Sequence, residues 1–217
     1  MQDFLKVTAM VIGVFPQGEY DRRIVLLTRE CGKITAFVKS ARKQGNRFTG
    51  TTDLFSFGTF DLYVGKTSYN VQNVEILNYF EFLRTDMVAA YYGMYFLELC
   101  DFYALENNDE SLMLLLAYRA LQGLKSDKLE NSFVRRVFEA KLFMIEGEFI
   151  PIDRIEGFSD KVYQIFDYIS ESSIEKLFNF KVSEEEFAAM EKICEYERKH
   201  LVDKHLASLD ILTTMLG

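Results

Sequence analysis

Residues 22–47 carry the side chains whose type and spacing most clearly suggest chemistry. Eight of them are Lys or Arg, against the single acid Glu30. Four of these cations crowd into the glycine-containing stretch 39–47, the basic loop. Ammonium and guanidinium groups gathered on one connection neutralise phosphates, so a polyanion is the expected ligand. The cations that we expect to contact it are Arg22, Arg23, Lys33, Lys39, Arg42, Lys43 and Arg47.

The basic run stands out because most of the chain is acidic. Residues 1–80 hold 10 basic and 7 acidic side chains, whereas residues 81–150 hold 7 and 12 and residues 151–217 hold 8 and 14. A cationic front end is therefore joined to an anionic body, with a net charge of −8 over 217 residues. A solvated basic surface without a ligand is the competing interpretation of such a charge run.

The remaining polar residues form no pattern typical of an enzyme. His200 and His205 are five residues apart on one predicted helix, about 140° around its axis, so they do not share a face as a metal-binding pair would. The carboxylates Asp53 and Asp61 are isolated, and the sequence has no glycine-rich phosphate-binding motif. We expect no catalytic residues, no metal and no cofactor.

The cysteines indicate a reducing compartment. Cys31, Cys100 and Cys194 are odd in number, far apart and without a Cys-x-x-Cys pair, so they encode neither a disulfide framework nor a zinc ribbon. Cys100 is expected to be a single buried thiol. The most apolar stretch, residues 87–105, contains two carboxylates and is typical of a buried helix rather than a membrane span. With no signal-peptide pattern at the N-terminus, we expect a cytoplasmic protein without membrane contact.

Three charged residues interrupt apolar helical stretches. Glu98 lies in one predicted helix, and Arg136 and Glu139 lie in another. Charges in such positions usually pair across helices, so we interpret Glu98, Arg136 and Glu139 as a structural ion-pair set rather than a functional site.

The residues around the basic loop are typical of short strands. Their β-branched and aromatic residues are separated by turn residues such as Gly18 and Gly32. Five such strands with short turns tend to close into a barrel, and a five-stranded Greek-key barrel of the OB type is the favoured solution, with an SH3-like barrel as the alternative. The predicted strands are Val7–Val14, Arg23–Thr28, Lys33–Lys39, Leu54–Val64 and Tyr69–Leu77.

Which aromatic residues face outward stays open from the sequence. On the fourth predicted strand, Phe55 and Phe57 share one face while Phe60 and Leu62 share the other, and one set must fill the barrel. Phe37 and Phe48 are equally ambiguous. For each one of these, a place in the core is the favoured interpretation.

The pattern changes to a helical period near Thr85. Asp86 is the expected N-cap of the first helix, and Ser183 with Glu186 forms a capping box for the last. We therefore predict an α+β protein with a five-stranded OB-fold domain over residues 1–80 and an α-helical domain over residues 81–217. Its helices are expected from Met87 through at least Leu99, from about Glu110 to Leu124, from Leu129 to Ile145, from Asp160 to Ile169 and from Ser183 to about Leu206.

An ordered set of short motifs resembles the bacterial RecO family of recombination mediators. The match covers about residues 4–151, and the order of the motifs carries it more than any single one. The motifs are Gly18-Glu19-x-Asp21, Leu26-Leu-Thr28-Arg-x-x-Gly32-Lys33-Ile, Lys39-x-Ala41-Arg42-Lys43, Tyr95-Phe-Leu-Glu98-Leu, Arg136-Val-Phe-Glu139-Ala-Lys-Leu and Gly147-x-x-x-Pro151.

The resemblance implies an OB-fold joined to a helical domain and a non-enzymatic role in DNA repair and recombination. It implies binding of single-stranded and double-stranded DNA, strand annealing, work with RecR, contact with the C-terminal tail of single-strand binding protein, and indirect help to RecA. It also implies association with the nucleoid. Many members of the family carry a four-cysteine zinc module after the segment that matches Pro151. Here that region has only Cys194, so the zinc module is expected to be absent.

A second interpretation belongs to a different class of protein. The helical body could be the working part of a protein-interaction scaffold, with the basic loop contacting an acidic protein partner. The acidic tail of single-strand binding protein would be such a ligand.

Overall fold

The structure is a computed structural model that describes residues 4–66, 68–150 and 157–216. It divides into two compact units, Met1–Thr85 with Leu97–Leu114, and Asp86–Phe96 with Leu115–Gly217. The first unit therefore extends past residue 80 and takes in a later segment of the chain. The predicted domain boundary between residues 80 and 81 stays a prediction.

The first unit is built on a closed barrel of five strands in the order β1-β2-β3-β5-β4. Neighbouring strands are antiparallel except β3 and β5, which are parallel. This arrangement confirms the predicted OB-fold. The strands are β1 (Phe4–Gln17), β2 (Asp21–Thr28), β3 (Gly32–Val38), β4 (Phe57–Val64) and β5 (Tyr69–Asn78).

Alternation of side chains fills the barrel. Every second residue of β2 and β3 points inward, as with Ile24 and Leu26, while Arg23 and Thr35 lie on the outer face. Each fully buried aliphatic side chain contributes about 1.5–3 kcal/mol to folding. A bulge between Val11 and Gly13 bends the 14-residue β1, which pairs with both β2 and β4 and so closes the barrel. The fully buried residues of the barrel core include Ala9, Val11, Ile24, Leu26, Ala36, Val38, Phe60 and Leu62.

The fourth strand begins later than the sequence pattern indicates. Strand β4 starts at Phe57, and residues 49–55 form turns. Phe55 has a φ of 71° and is buried, so it is not a strand residue and does not share a strand face with Phe57. That part of the prediction was wrong because a local left-handed turn replaces the strand. Phe60 and Leu62 do fill the barrel.

A segment that follows the first helix, α1 (Met87–Tyr103), completes the edge of β3. The backbone N–H of Lys33 donates to the carbonyl of Leu105, and that of Asn107 donates to the carbonyl of Cys31, both at 2.9 Å. Gly32 is required at this point: its φ is +67°, and a Cβ atom there would collide with the carbonyl oxygen of Leu105.

The helices agree in number and position with the prediction except at the C-terminal end. The Asp86 carboxylate accepts a 2.9 Å hydrogen bond from the backbone N–H of Ala89, and both halves of the Ser183–Glu186 capping box are formed. The remaining helices are α2 (Ser111–Leu124), α3 (Asn131–Ile145), α4 (Asp160–Glu171), α5 (Glu184–Leu201) and α6 (Ala207–Leu216), with 3-10 turns at Glu81–Arg84 and Ile174–Lys176.

The last predicted helix, Ser183 to about Leu206, ends earlier than expected, and a further helix that was not predicted, α6, follows it. Helix α5 ends at Leu201, so His200 and His205 do not lie on one helix as predicted. His205 follows the helix and its Nε2 lies 2.7 Å from a carboxylate oxygen of Asp210. The connection places Val202 and Leu206 in the core of the second unit, and this burial stabilises a break that has neither glycine nor proline.

Aromatic stacking and one buried amine organise the second unit. The rings of Phe96 and Phe138 stack with centroids 4.4 Å apart. The Lys141 ammonium donates to the carbonyls of Ile169, Ser170 and Ser172 at 2.9, 2.9 and 3.0 Å, which caps the C-terminal end of α4. Among the residues that the structure describes, no helix is long and apolar enough to span a bilayer.

Candidate nucleic-acid interface

The basic loop is folded against the barrel. The backbone N–H of Ser40 donates to the Asp21 carboxylate at 2.7 Å, and that of Arg42 donates to the carbonyl of Tyr20 at 2.9 Å. The side chains of Ala41 and Phe48 are buried in the barrel core. These anchors hold the backbone while Lys39, Arg42, Lys43 and Arg47 are all exposed to solvent.

Three of the exposed cations contact neighbouring aromatic rings or backbone carbonyls. The Lys43 ammonium lies 4.8 Å from the centre of the Tyr20 ring, and the Arg47 guanidinium carbon lies 4.7 Å from that of Phe48. Arg47 also donates to the carbonyl of Gln72 on β5, and Arg42 donates to the carbonyl of Gly18 at 3.4 Å. A guanidinium has five N–H donors, so each arginine keeps donors for a phosphate while its position is fixed.

Two of the predicted cations are engaged by carboxylates. Arg22 forms an ion pair with Asp53 at 2.6 Å, in which Asp53 comes from the chain that follows the basic loop. The Lys33 ammonium donates to the carbonyl of Asp101 at 2.5 Å and lies 3.4 Å from its carboxylate. These contacts make Arg22 and Lys33 part of the framework that positions the loop and β3.

Arg23 belongs to a row of paired residues that encircles the outer face of the barrel. Phe15 on β1 lies opposite Arg23 on β2, which lies opposite Phe37 on β3. Phe37 pairs with Asn70, and Asn70 with Tyr63. Tyr63 in turn pairs with Phe4, and the two rings contact edge to face at 5.9 Å. We name this set the outer row: Phe15, Arg23, Phe37, Asn70, Tyr63 and Phe4.

The outer row resolves the question of the aromatic residues. Phe37 is half-buried on the outer face, whereas Phe48 and Phe55 are buried. Phe4 and Phe15, which are 64% and 43% exposed, were not predicted from the sequence. The alternation of β1 alone suggests that Phe15 faces outward. The residues that lie beside it in the outer row depend on the pairing of the strands, which cannot be read from the sequence.

Two of the three residues in the predicted ion-pair set, Arg136 and Glu139, belong to a network of buried charges in the second unit. Glu139 is fully buried and accepts hydrogen bonds from Arg135 at 2.8 Å, from Arg136 at 2.9 Å and from the Tyr95 hydroxyl. Burial by itself raises the pKa of Glu139, but the charges of the two arginines outweigh it and the net shift is downward. Burial, reinforced by the Glu139 charge, holds the pKa of Tyr95 well above its ordinary value.

Arg136 joins this network to helix α5. It lies 3.3 Å from Glu195 and 3.6 Å from Glu191, and Arg135 lies 3.5 Å from Glu195. Glu98, the other residue of the predicted set, is half-buried on α1. The pairing of Glu98 with Arg136 stays a prediction.

The cysteines and histidines do not assemble in the described part of the chain. Cys100 and Cys194 are buried, as predicted for Cys100, and Cys31 is half-buried. Among the described residues, no group of three or more His, Cys, Asp or Glu side chains is placed to hold a metal ion. Pro151, which ends the last motif of the resemblance, lies outside those residues.

Comparison with known proteins agrees with this architecture. Residues 1–80 match the family model described as "Recombination protein O N terminal". The chain is 33% identical over 143 residues to the DNA repair protein RecO of Clostridium novyi, in a match that covers 65% of this chain and 56% of that protein. It is 34% identical over 141 residues to the protein of the same name from Symbiobacterium thermophilum, covering 65% and 56%.

A third relative extends the likeness along the whole chain. The DNA repair protein RecO of Acetivibrio thermocellus is 24% identical over an alignment of 245 positions, which covers 98% of each chain. The stronger local matches span little more than half the length of the relatives concerned. The matching model and the closed five-stranded barrel show that residues 1–80 form a domain of the recombination protein O type, and the relatives show that the chain is similar to bacterial DNA repair proteins RecO.

Proposed function

We propose that this chain is a non-enzymatic DNA repair and recombination mediator that binds single-stranded DNA through its barrel. The observation that carries the proposal is the continuity of two surfaces. Strand β3 ends at Val38, so the first cation of the basic loop, Lys39, follows directly after a strand that contributes Phe37 to the outer row. Phosphate contacts and stacking faces therefore adjoin along one strand.

Phosphate neutralisation supplies the affinity in this proposal. Each loop cation that contacts a phosphate releases a counterion from the single-stranded DNA. Each such contact lowers the logarithm of the binding constant by about 0.7 per tenfold rise in salt concentration. Aromatic side chains of the outer row add stacking, which tolerates every base because each base has a π face. Binding is therefore expected to have little base preference along most of the strand.

The same contacts suit strand annealing and binding of double-stranded DNA. A protein that holds phosphates and one face of a base leaves the Watson–Crick edges exposed for a complementary strand. Duplex DNA offers the same phosphates to the basic loop, although its stacked bases cannot reach aromatic rings. We therefore expect weaker and more salt-sensitive binding of duplex than of single-stranded DNA.

The partner proteins in this proposal are inferred from the similarity to DNA repair proteins RecO. We propose that the chain works with RecR and helps RecA, indirectly, onto DNA coated by single-strand binding protein. The acidic C-terminal tail of that protein is complementary in charge to the basic loop. We propose the loop as its contact, and the cytoplasm, at the nucleoid, as the place of action.

The alternative is a helical scaffold whose basic loop binds an acidic protein rather than DNA. Competition separates the two. Labelled single-stranded DNA is titrated with the protein over a range of salt concentrations, and the unlabelled acidic tail peptide is then added. A mediator binds the DNA directly and with a strong salt dependence, and the peptide displaces part of it. Binding of the peptide without measurable binding of DNA supports the scaffold and contradicts the proposed function.

A further inference from the structure

A cavity of about 720 Å³ lies in the first unit against the outer face of β2 and β3. Its volume falls within the range of roughly 300–1,000 Å³ that is usual for small-molecule sites. It adjoins the outer row, because Arg23 belongs to both. The polar side chains that matter here are Arg23, Lys33, Thr35, Lys66, Asp101 and Glu106.

The cavity combines cations with acceptors. Lys33 is held by Asp101 through the contacts at 2.5 and 3.4 Å, and this pair forms one part of the wall. Arg23 lies over the Phe15 ring at 4.2 Å, which fixes its guanidinium near the strand surface. Lys66, in the connection between β4 and β5, is exposed and adds a further cation.

Glu106 brings a carboxylate to the same cavity from the segment that pairs with β3. Its backbone is fixed by a bridge to Gly32. Tyr69 also lines the cavity, and its pKa is raised by burial and then by the charges of Cys31 and Glu106. A site for phosphate alone would gain nothing from a carboxylate, whereas a site for a whole nucleotide would use both kinds of group.

The chemistry of a carboxylate selects among the bases. An ionised carboxylate accepts hydrogen bonds through two oxygens and donates none. Guanine alone presents two adjacent N–H donors, N1–H and N2–H, on its Watson–Crick edge, whereas the other bases present one donor group there. We infer that this cavity holds one nucleotide of the bound single strand and that Glu106 gives that position a preference for guanine.

The inference rests on the proposed function, since the nucleotide is delivered as part of a bound strand. Arg23 and Lys66 neutralise its phosphate, and Glu106 accepts from its base. Elsewhere on the strand, contacts to phosphates and ring faces remain indifferent to sequence. The protein therefore binds every strand but places a guanine in the cavity when the strand contains one.

The test compares oligonucleotides about 16 nucleotides long that differ at one central position. Thymidine-only strands are compared with strands that carry one guanine, adenine or cytosine, by fluorescence anisotropy with the full chain. The guanine strand should bind about five times more tightly or better than the other three. Glu106→Gln should remove that difference, so that the four oligonucleotides bind with equal affinity, because the amide keeps the size of the side chain but replaces one of its two acceptor oxygens by a donor.

Two variants serve as controls. Glu75→Gln makes the same charge change on an exposed residue of β5 outside the cavity and should keep the guanine preference. Lys66→Ala should weaken binding of all four oligonucleotides alike.

Tight binding without a guanine preference, or a preference that survives Glu106→Gln, contradicts this inference alone. Failure of the unmodified protein to bind any strand contradicts the proposed function as well. Free deoxyguanosine monophosphate tests the source of the ligand: if it competes as well as the guanine strand, the cavity is a site for free nucleotides and the inference about the strand is wrong.

Discussion

The guanidinium carbon of Arg23 lies 4.2 Å from the centre of the Phe15 ring, where β1 and β2 place the two residues directly opposite each other. A cation–π contact of this kind orients the guanidinium without consuming its hydrogen-bond donors. The pair therefore offers a phosphate contact and an aromatic surface at one position on the barrel. The position of this phosphate contact relative to the aromatic surface is therefore set by the pairing register of β1 and β2.

Replacing Phe15 should reveal the stacking contribution. Phe15→Ala is expected to weaken binding of single-stranded DNA by ~1–3 kcal/mol, the usual contribution of one stacked base, and to leave the salt dependence unchanged because no charge is removed. Titrations at several salt concentrations measure both quantities. Leu77→Ala is the matched control, since Leu77 is 65% exposed on β5 but lies outside the outer row. Equal effects of the two substitutions would show that the row does not stack on DNA.

The buried charge network should stabilise the second unit without acting on DNA. Glu139→Ala removes the fully buried carboxylate from Arg135 and Arg136, which keep only the half-buried Glu191 and Glu195 as partners, and is expected to lower the free energy of unfolding by ~3–5 kcal/mol. Chemical denaturation measures this, with the exposed Glu171→Ala as control. If Glu98 pairs with Arg136 as predicted, Glu98→Ala should also lower the Tm by many degrees. A Glu98→Ala variant that melts normally but fails to anneal DNA would show that Glu98 acts in annealing rather than in a structural ion pair.

Acid should weaken the same network over a defined pH range. Burial alone would raise the pKa of Glu195, but its hydrogen bonds to Arg198 and the charges of Arg198, Arg136 and Arg135 lower it from 4.5 to about 2. A depressed carboxyl pKa stabilises the fold above its unfolded value, and this stabilisation is lost as the pH falls from about 4.5 to about 2. Glu195→Gln should therefore be less stable than the unmodified protein at pH 7, and this difference should shrink across that range. A difference that stays constant with pH would contradict the pairing.

The purified protein should contain no stoichiometric zinc. A tetrahedral site needs four ligands, and the chain has three cysteines scattered over separate elements and two histidines on opposite sides of the α5 terminus. Elemental analysis of the untagged protein after dialysis measures the metal content, and chelator treatment should leave the Tm unchanged. About one zinc per chain would contradict this expectation and point to ligands shared between two chains.

Periodicity in the sequence was enough to find the barrel and most of the helices. The strands alternate, Gly32 marks the β2–β3 turn, and Ser183 with Glu186 marks the start of α5, so each of these features has a local cause. The end of α5 at Leu201 was missed because residues 202–206 contain no helix-breaking residue. The chain leaves the helix there because Val202 and Leu206 are buried. Burial of that kind depends on distant parts of the chain.

The candidate interface, too, could be predicted only in part from the sequence. The cations of the basic loop are visible as a charge run, whereas the commitment of Arg22 to Asp53 and of Lys33 to Asp101 depends on contacts across 31 and 68 residues of sequence. The outer row depends on the register of five strands, and the cavity on the return of residues 101–106 to the barrel. Residue composition and motif spacing contain no information about the outer row or the cavity.

Salt dependence of single-stranded DNA binding tests the central claim most directly. The dissociation constant is measured across a salt series for the unmodified protein and for a variant in which Lys39, Arg42, Lys43 and Arg47 are all replaced by alanine. A second variant, with Lys125, Lys128, Lys176 and Lys192 replaced by alanine, makes the same charge change on exposed residues of the helical part of the chain. We predict weaker binding and a slope of log K against log salt that is shallower by about 0.7 per lost phosphate contact for the loop variant only. An unchanged slope in the loop variant, or equal losses in both variants, would contradict the account.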